Sequence, residues 1–242
     1  MNKKTAGAIL AVSIVMFSIT ACMLLLRPSR PTDRVYLMPS NITTMALMKP
    51  RSDSDTSVEE ALLNRRSVRS YVDGALTLQE FSQLLWATQG VTAPQGMRTA
   101  PSAGGLYPLE VYVAVGDVEG LSPAIYRYLP DVHSIQRVLD GDMRGELAQA
   151  SLGQRWIENA AVDIVIAAVY ERTTAKYGER GLRYVHMEAG HAAQNLCLQA
   201  TALRLGVVTV GGFDDERVGA TLNLPHNQKP LYVIPVGRIE KP

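Results

Sequence analysis

Two cysteines in 242 residues, Cys22 and Cys197, argue against a disulfide framework, since one lies in an apolar N-terminal segment and the other in a helix-like stretch. Stability must therefore come from a core. Net charge is equally scarce. Lys+Arg of 24 against Asp+Glu of 23 leave +1, so no global basic field draws nucleic acid, and any anion must be held locally. Nucleotide loops of familiar spacing are missing too: no Gly-Lys-Ser/Thr closes a Walker A loop, and no Gly-x-Gly-x-x-Gly opens a Rossmann turn. His186 and His191 stand five apart, about 140° around a helix, and cannot share an ion as an i, i+4 pair would, so no metal site is expected. No internal repeat is visible.

What the sequence does have begins with an uncharged run over residues 5–26, long enough to cross a bilayer. It reads as an uncleaved membrane anchor. The competing reading is a lipoprotein-type signal, because Ile19-Thr20-Ala21-Cys22 resembles a lipobox, but Met23 to Leu26 stay apolar where a cleaved lipoprotein turns polar. Either way residues 1–26 place the chain at a membrane, and the basic residues on both flanks leave the side open. Residues 27–56, rich in Pro, Ser, Thr and charge, read as a flexible linker, and the globular domain is expected over 57–242.

Within that domain Ser57 with Glu60, and Thr77 with Glu80, are capping boxes that open helices, the second closed by Gly90. The apolar runs 109–115 and 161–169 suit buried strands, 125–138 alternates as a hairpin turning at Pro130-Asp131, and 207–210 and 231–237 supply two more strands. Residues 180–206 read as one long helix ending at Gly206. The fold class is α+β, a mainly antiparallel sheet flanked by helices.

Three constellations carry chemistry. Arg65, Arg66, Ser67 and Arg69 form either a phosphate clamp, because guanidiniums pair with phosphate oxygens, or a solvated basic turn at a helix end. In "RTAPSAGGLYP" (98–108), Ser102, Gly104 and Gly105 let a ligand approach the backbone, or make an ordinary glycine loop. In "VTVGGFDDERVG" (208–219), the Gly211-Gly212 bend before a helix capped by Asp214 can present amides to a flat heterocycle, or is a plain β-to-α turn. On the long helix Glu188, His191 and Asn195 form one polar stripe, and Cys197 reads as a small core residue.

Taken together with "KYGERGLRYVHMEAGHAAQNLCLQA" and the closing "PVGR", the order of these stretches over about residues 57–238 resembles the FMN-dependent nitroreductase family, within it the SagB/ThcOx-type dehydrogenase branch. The resemblance implies that Arg65, Arg66, Ser67, Arg69 and Arg238 hold the FMN phosphate, that Ser102 and Gly104 line the cofactor, and that Gly211 and Gly212 face the flavin edge. It implies a homodimer with flavin sites at its interface. It also implies hydride transfer between NADH or NADPH, or an organic substrate, and a second small molecule in ping-pong turnover. Lys176 and Tyr177 resemble a Lys-Tyr pair associated with proton removal in azoline dehydrogenases, whose substrate is a peptide; a surface lysine and a packing tyrosine at a helix start is the plainer reading. A non-catalytic, membrane-tethered flavin-binding module stands as the alternative from another class.

Overall fold

The computed structural model describes residues 43–240. The apolar run 5–26 and Cys22 lie outside the described residues, and among the described residues no helix is long and apolar enough to cross a membrane.

The chain enters as a short strand, β1 (Thr44–Ala46), followed by the helices α1 (Val58–Asn64) and α2 (Leu78–Gln89). Then come β2 (Leu109–Val115), β3 (Ala124–Leu129), β4 (Ser134–Asp140), α3 (Arg144–Ala150), α4 (Arg155–Glu158) and β5 (Val162–Ala168). The last third holds α5 (Glu171–Tyr177), the long α6 (Arg180–Ala202), β6 (Leu205–Val207), α7 (Asp215–Thr221) and β7 (Lys229–Arg238). The seven strands make one sheet in the order β1-β4-β3-β2-β5-β7-β6, every neighbouring pair antiparallel. This is the expected α+β architecture.

Period-two geometry decides what each face covers. Val111, Val113 and Val115 of β2 pack with Phe81 and Leu84 of α2 and with Val185, Ala189 and Leu196 of α6. Tyr112 and Ala114, pointing the other way, pack with Leu147, Ile157, Val218 and Leu222 of α3, α4 and α7. Both faces are thus buried, which is why β2 and β5 read as continuous apolar runs rather than alternating ones. Ser57 caps α1 by accepting the Glu60 N–H, and Thr77 with Glu80 forms a complete capping box on α2.

Three expectations change. Residues 43–51, placed in the linker, dock on the domain: β1 pairs with β4, Met45 and Leu47 pack on the core, and Arg51 exchanges hydrogen bonds with the Gln83 amide. Three residues are too few to show a period in sequence, and the surrounding Pro and Ser read as linker. The long helix stops at Ala202 rather than Gly206, because Arg204 takes the left-handed turn (φ 58°) and Gly206 lies inside β6. Gly206 is required there for close approach, since a Cβ would sit 2.5 Å from Ile239 Cγ2 and 2.9 Å from Val68 Cγ1. Of 207–210 only Val207 is in a strand, with Val210 making a single bridge to Val233. Gly90 closes α2 as expected, in an extended conformation with its N–H donating to the Trp86 carbonyl.

Candidate functional site

The arginine stretch leaves α1 and runs alongside the edge strand β6. Val68 donates its N–H to the Val207 carbonyl (2.9 Å), and Ser67 bridges Val207 in parallel register. Tyr71 then anchors the segment, its hydroxyl donating to the carbonyls of Val68 and Pro235. Burial, with Asp163 nearby, pushes the Tyr71 phenol far above its ordinary range, so it stays a neutral donor.

The structure divides the predicted phosphate set in two. Arg66 turns Nη1 onto its own turn, donating to the carbonyls of Leu63 (2.9 Å) and Arg65 (2.8 Å). Arg238, at the end of β7, makes a two-pronged pair with Glu80 (2.8 and 2.7 Å) and also donates to the Ala75 carbonyl. Partial burial alone would raise the Glu80 carboxyl; the bonds from Arg238 and Thr77 hold it below the usual range. Among the described residues, the side chains of Arg65, Ser67 and Arg69 make no hydrogen bond or ion pair. Arg69 lies over the Trp156 ring, 5.6 Å from its centre, and the buried Trp156 Nε1–H has no partner.

The Gly211-Gly212 bend reaches the same place. Gln154, two residues before Trp156, donates to the Gly212 carbonyl (2.8 Å), the Asp214 N–H donates to the Ala150 carbonyl, and Asp214 caps α7 through the Arg217 N–H. The helix α4 therefore connects the arginine stretch to the glycine bend. Two free guanidiniums, a hydroxyl, an unpartnered indole N–H and exposed glycine backbone make a donor-rich set with no carboxylate paired to it, which fits a phosphate joined to a flat ring.

A second cluster surrounds the loop 102–107. Gly104 and Gly105 take φ of 65° and 64°, and Tyr107 follows at 46°, so three of four consecutive residues are left-handed. Every polar group of Tyr107 is held. Its N–H donates to Ser102 Oγ (2.9 Å), its carbonyl accepts from Arg172, its hydroxyl accepts the Arg98 N–H, and the Arg98 guanidinium covers its ring. Arg172 and Arg127 both pair with the buried Glu110 (2.6 and 2.8 Å), which ties α5 to the sheet. Lys176 and Tyr177, at the end of α5 rather than at a helix start, reach the loop: a Cβ on Gly104 would lie 2.7 Å from the Tyr177 hydroxyl and 2.9 Å from Lys176 Nζ. A side chain at Gly104 is strained by the left-handed φ and meets those two groups.

Sequence analysis places Glu188 in a polar stripe but not behind this loop. Glu188 is buried, whereas its stripe-mate His191 is exposed and Asn195 is half-buried, so the stripe does not act as one unit. Its carboxyl is pushed up to about 7 by burial, against the Ser102 hydroxyl and the Arg98 charge, which pull it down. Cys197 is a buried thiol, raised to about 11 by burial, as expected of a core cysteine. The Arg65 charge acts on Cys197 and the Arg98 charge on Glu188, nine residues apart on α6.

Residues 62–238 match the Nitroreductase family. The chain is 49% identical over 195 residues to "Putative nitroreductase MJ1384" of Methanocaldococcus jannaschii, a match covering 81% of this chain and 97% of that protein. It is 32% identical over 114 residues to an NADPH-flavin oxidoreductase of Vibrio harveyi, covering 44% of this chain and 48% of that one. Against the microcin B17-processing protein McbC of Escherichia coli it is 29% identical over 142 residues, covering 56% of this chain and 52% of that one. A solved nitroreductase-like structure from Ralstonia eutropha superposes with a TM-score of 0.72 at 27% identity, covering 82% of this chain and 90% of the other. A second, from Anabaena variabilis, gives 0.67 at 34% identity, with 75% of this chain matched to only 38% of the other.

Proposed function

Because the chain belongs to the nitroreductase family, we propose that it is an FMN-dependent oxidoreductase taking a hydride from NADPH or NADH, or from an organic substrate, and passing it to a second small molecule in ping-pong turnover. The observation that carries this reading is the unspent set Arg65, Ser67 and Arg69 beside the Gly211-Gly212 bend. Those three side chains bind the phosphate, while the backbone of Gly211 and Gly212 faces the ring edge. Arg66 and Arg238 hold the walls instead, the first by closing α1 and the second by fixing the chain at Ala75 and Glu80. FMN, when bound, supplies the hydride chemistry.

The loop 102–107 completes the site from a second copy of the chain. Its support is membership of the nitroreductase family together with the resemblance that places flavin sites at a homodimer interface. A homodimer with shared sites follows. For the membrane, the support is the uncharged run 5–26 alone, which tethers the domain to a bilayer.

A second reading, a SagB-type azoline dehydrogenase acting on a peptide, is favoured by the convergence of Lys176 Nζ and Tyr177 Oη on Gly104. An amine and a phenol at one backbone point are suited to taking a proton from a substrate as hydride leaves. The likeness to McbC points the same way. Lys176→Ala separates the readings. Activity lost only with an azoline-forming peptide supports the dehydrogenase, while unchanged quinone- or nitro-reductase rates with no activity on any such peptide support the general reductase. Failure of the purified protein to bind FMN overturns both.

A further inference from the structure

Of the arginines in the first stretch, Arg69 is supported by a ring rather than by hydrogen bonds. Its guanidinium carbon lies over Trp156, 5.6 Å from the ring centre, and among the described residues its side chain makes no hydrogen bond or ion pair. Arg66 and Arg238, by contrast, turn donors onto carbonyls, and Arg238 is also paired with Glu80. Attraction to a ring face is electrostatic and uses no N–H, so Arg69 keeps its charge and all five donors. The ring itself is fixed. Trp156 lies on α4 and packs, as Phe213 does, against the cluster of Leu147, Ile157 and Val218. Its Nε1–H is buried without a partner, so the ring face is what meets Arg69. Two residues earlier Gln154 donates to the Gly212 carbonyl (2.8 Å), and this short stretch therefore reaches both the cation and the glycine bend.

We propose that Trp156 is a positioning residue for Arg69, and that through it the site selects a flavin carrying a phosphate over one without. A long side chain loses rotamer freedom when it grips an anion. Arg69 is exposed, and resting on a fixed ring restricts that freedom before the ligand arrives, so less is lost on binding. A carboxylate partner would restrict Arg69 as well, but it would offset the charge and occupy the guanidinium fork. An aromatic face does neither. The effect is confined to the phosphate, because the ring edge of the ligand meets the backbone of Gly211 and Gly212 and not Arg69. Removing the Trp156 face therefore weakens the hold on FMN, while riboflavin, which has the same ring and no phosphate, is held as before.

This inference rests on the flavin reading, and its test separates the two. FMN and riboflavin are the probes, and their affinities are followed by flavin fluorescence. Trp156→Leu is expected to lose FMN affinity by about 3- to 10-fold, the range of one cation–π contact, with riboflavin affinity changed by less than about twofold. Trp156→Phe keeps a ring face and removes a buried, unpartnered donor, so it should retain most of the FMN affinity. In an Arg69→Ala background Trp156→Leu should no longer alter FMN binding, because the two changes remove the same interaction. If the leucine variant does not fold, Trp156→Met supplies bulk without a ring and takes its place. FMN affinity unchanged by loss of the ring, equal loss of both flavins, a phenylalanine variant as weak as the leucine one, or an undiminished effect without Arg69 each overturns the positioning role and leaves the flavin reading standing. Binding of neither flavin by the wild-type chain overturns both.

Discussion

At the scale of single residues, the arginines show how little a residue type says until its partners are known. "RRSVRSY" holds three arginines that look equivalent in sequence, yet Arg66 donates to two carbonyls of its own turn while Arg65 and Arg69 do not. Arg69→Ala should weaken FMN binding by about 1.5–3 kcal/mol, the scale of a hydrogen bond to a charged group. Arg66→Ala should cost well under half of that, and isothermal titration of the two variants checks the ranking. The commitment of Arg238 to Glu80, 158 residues away, could not be read from local pattern at all. Asp163 is a second residue that sequence conceals. It sits in the middle of an apolar run, fully buried, with neither carboxylate oxygen partnered, and burial raises its carboxyl well above the ordinary value. The sign is set by that rise: the folded chain holds a proton that the unfolded chain releases. Stability is complete below the unfolded value and falls as pH rises above it, by up to about 1.4 kcal/mol per pH unit. Asp163→Asn keeps the neutral shape and should flatten this dependence, so its melting temperature relative to wild type should climb between pH 4 and 7. A constant difference across that range would contradict the assignment.

At the scale of elements, most of the fold is legible and the two misses have different causes. Capping boxes, β-branched runs and the Pro130-Asp131 turn are local signals, and the helices and strands they predict are present. The end of α6 was misread because Gly206 looked like a helix stop. Its true constraint is non-local, the crossing of Val68, Tyr71 and Ile239 over a backbone with no side chain. Gly206→Ala inserts a methyl into that crossing and should destabilise the chain by about 1–3 kcal/mol, the usual cost of overpacking. Because the displaced neighbour Val68 lies between Ser67 and Arg69, the same variant should also bind FMN more weakly than its loss of stability at saturating ligand would explain. Thermal unfolding together with titration checks both parts. The edge strand β1 was hidden for the opposite reason: three residues are too few to show a period, and only pairing with β4 gives them one.

At the scale of the whole molecule, the sheet, the central helix and the sequence order of the site stretches form one arrangement. The covered sheet supplies rigidity, and each of the two clusters brings chemistry that the other lacks. Free cations and glycine amides lie on one side; a strained loop with an amine, a phenol and a buried acid lies on the other. Sequence analysis named residues of both clusters but placed Ser102 and Gly104 with the arginines around one cofactor, since distance along a chain carries no information about where a fold brings its loops. The central claim is that this arrangement binds FMN and cycles it between oxidation states. The direct measurement is an anaerobic absorbance titration of the purified, FMN-loaded chain with NADPH and then NADH, followed by addition of a quinone. The account predicts loss of the oxidised-flavin band at one reducing equivalent pair per site with at least one nucleotide, and full return of the band with the quinone. A chain that binds FMN tightly while its band resists both nucleotides, and every small-molecule or peptide donor offered, would be a flavin-binding module and would contradict the claim.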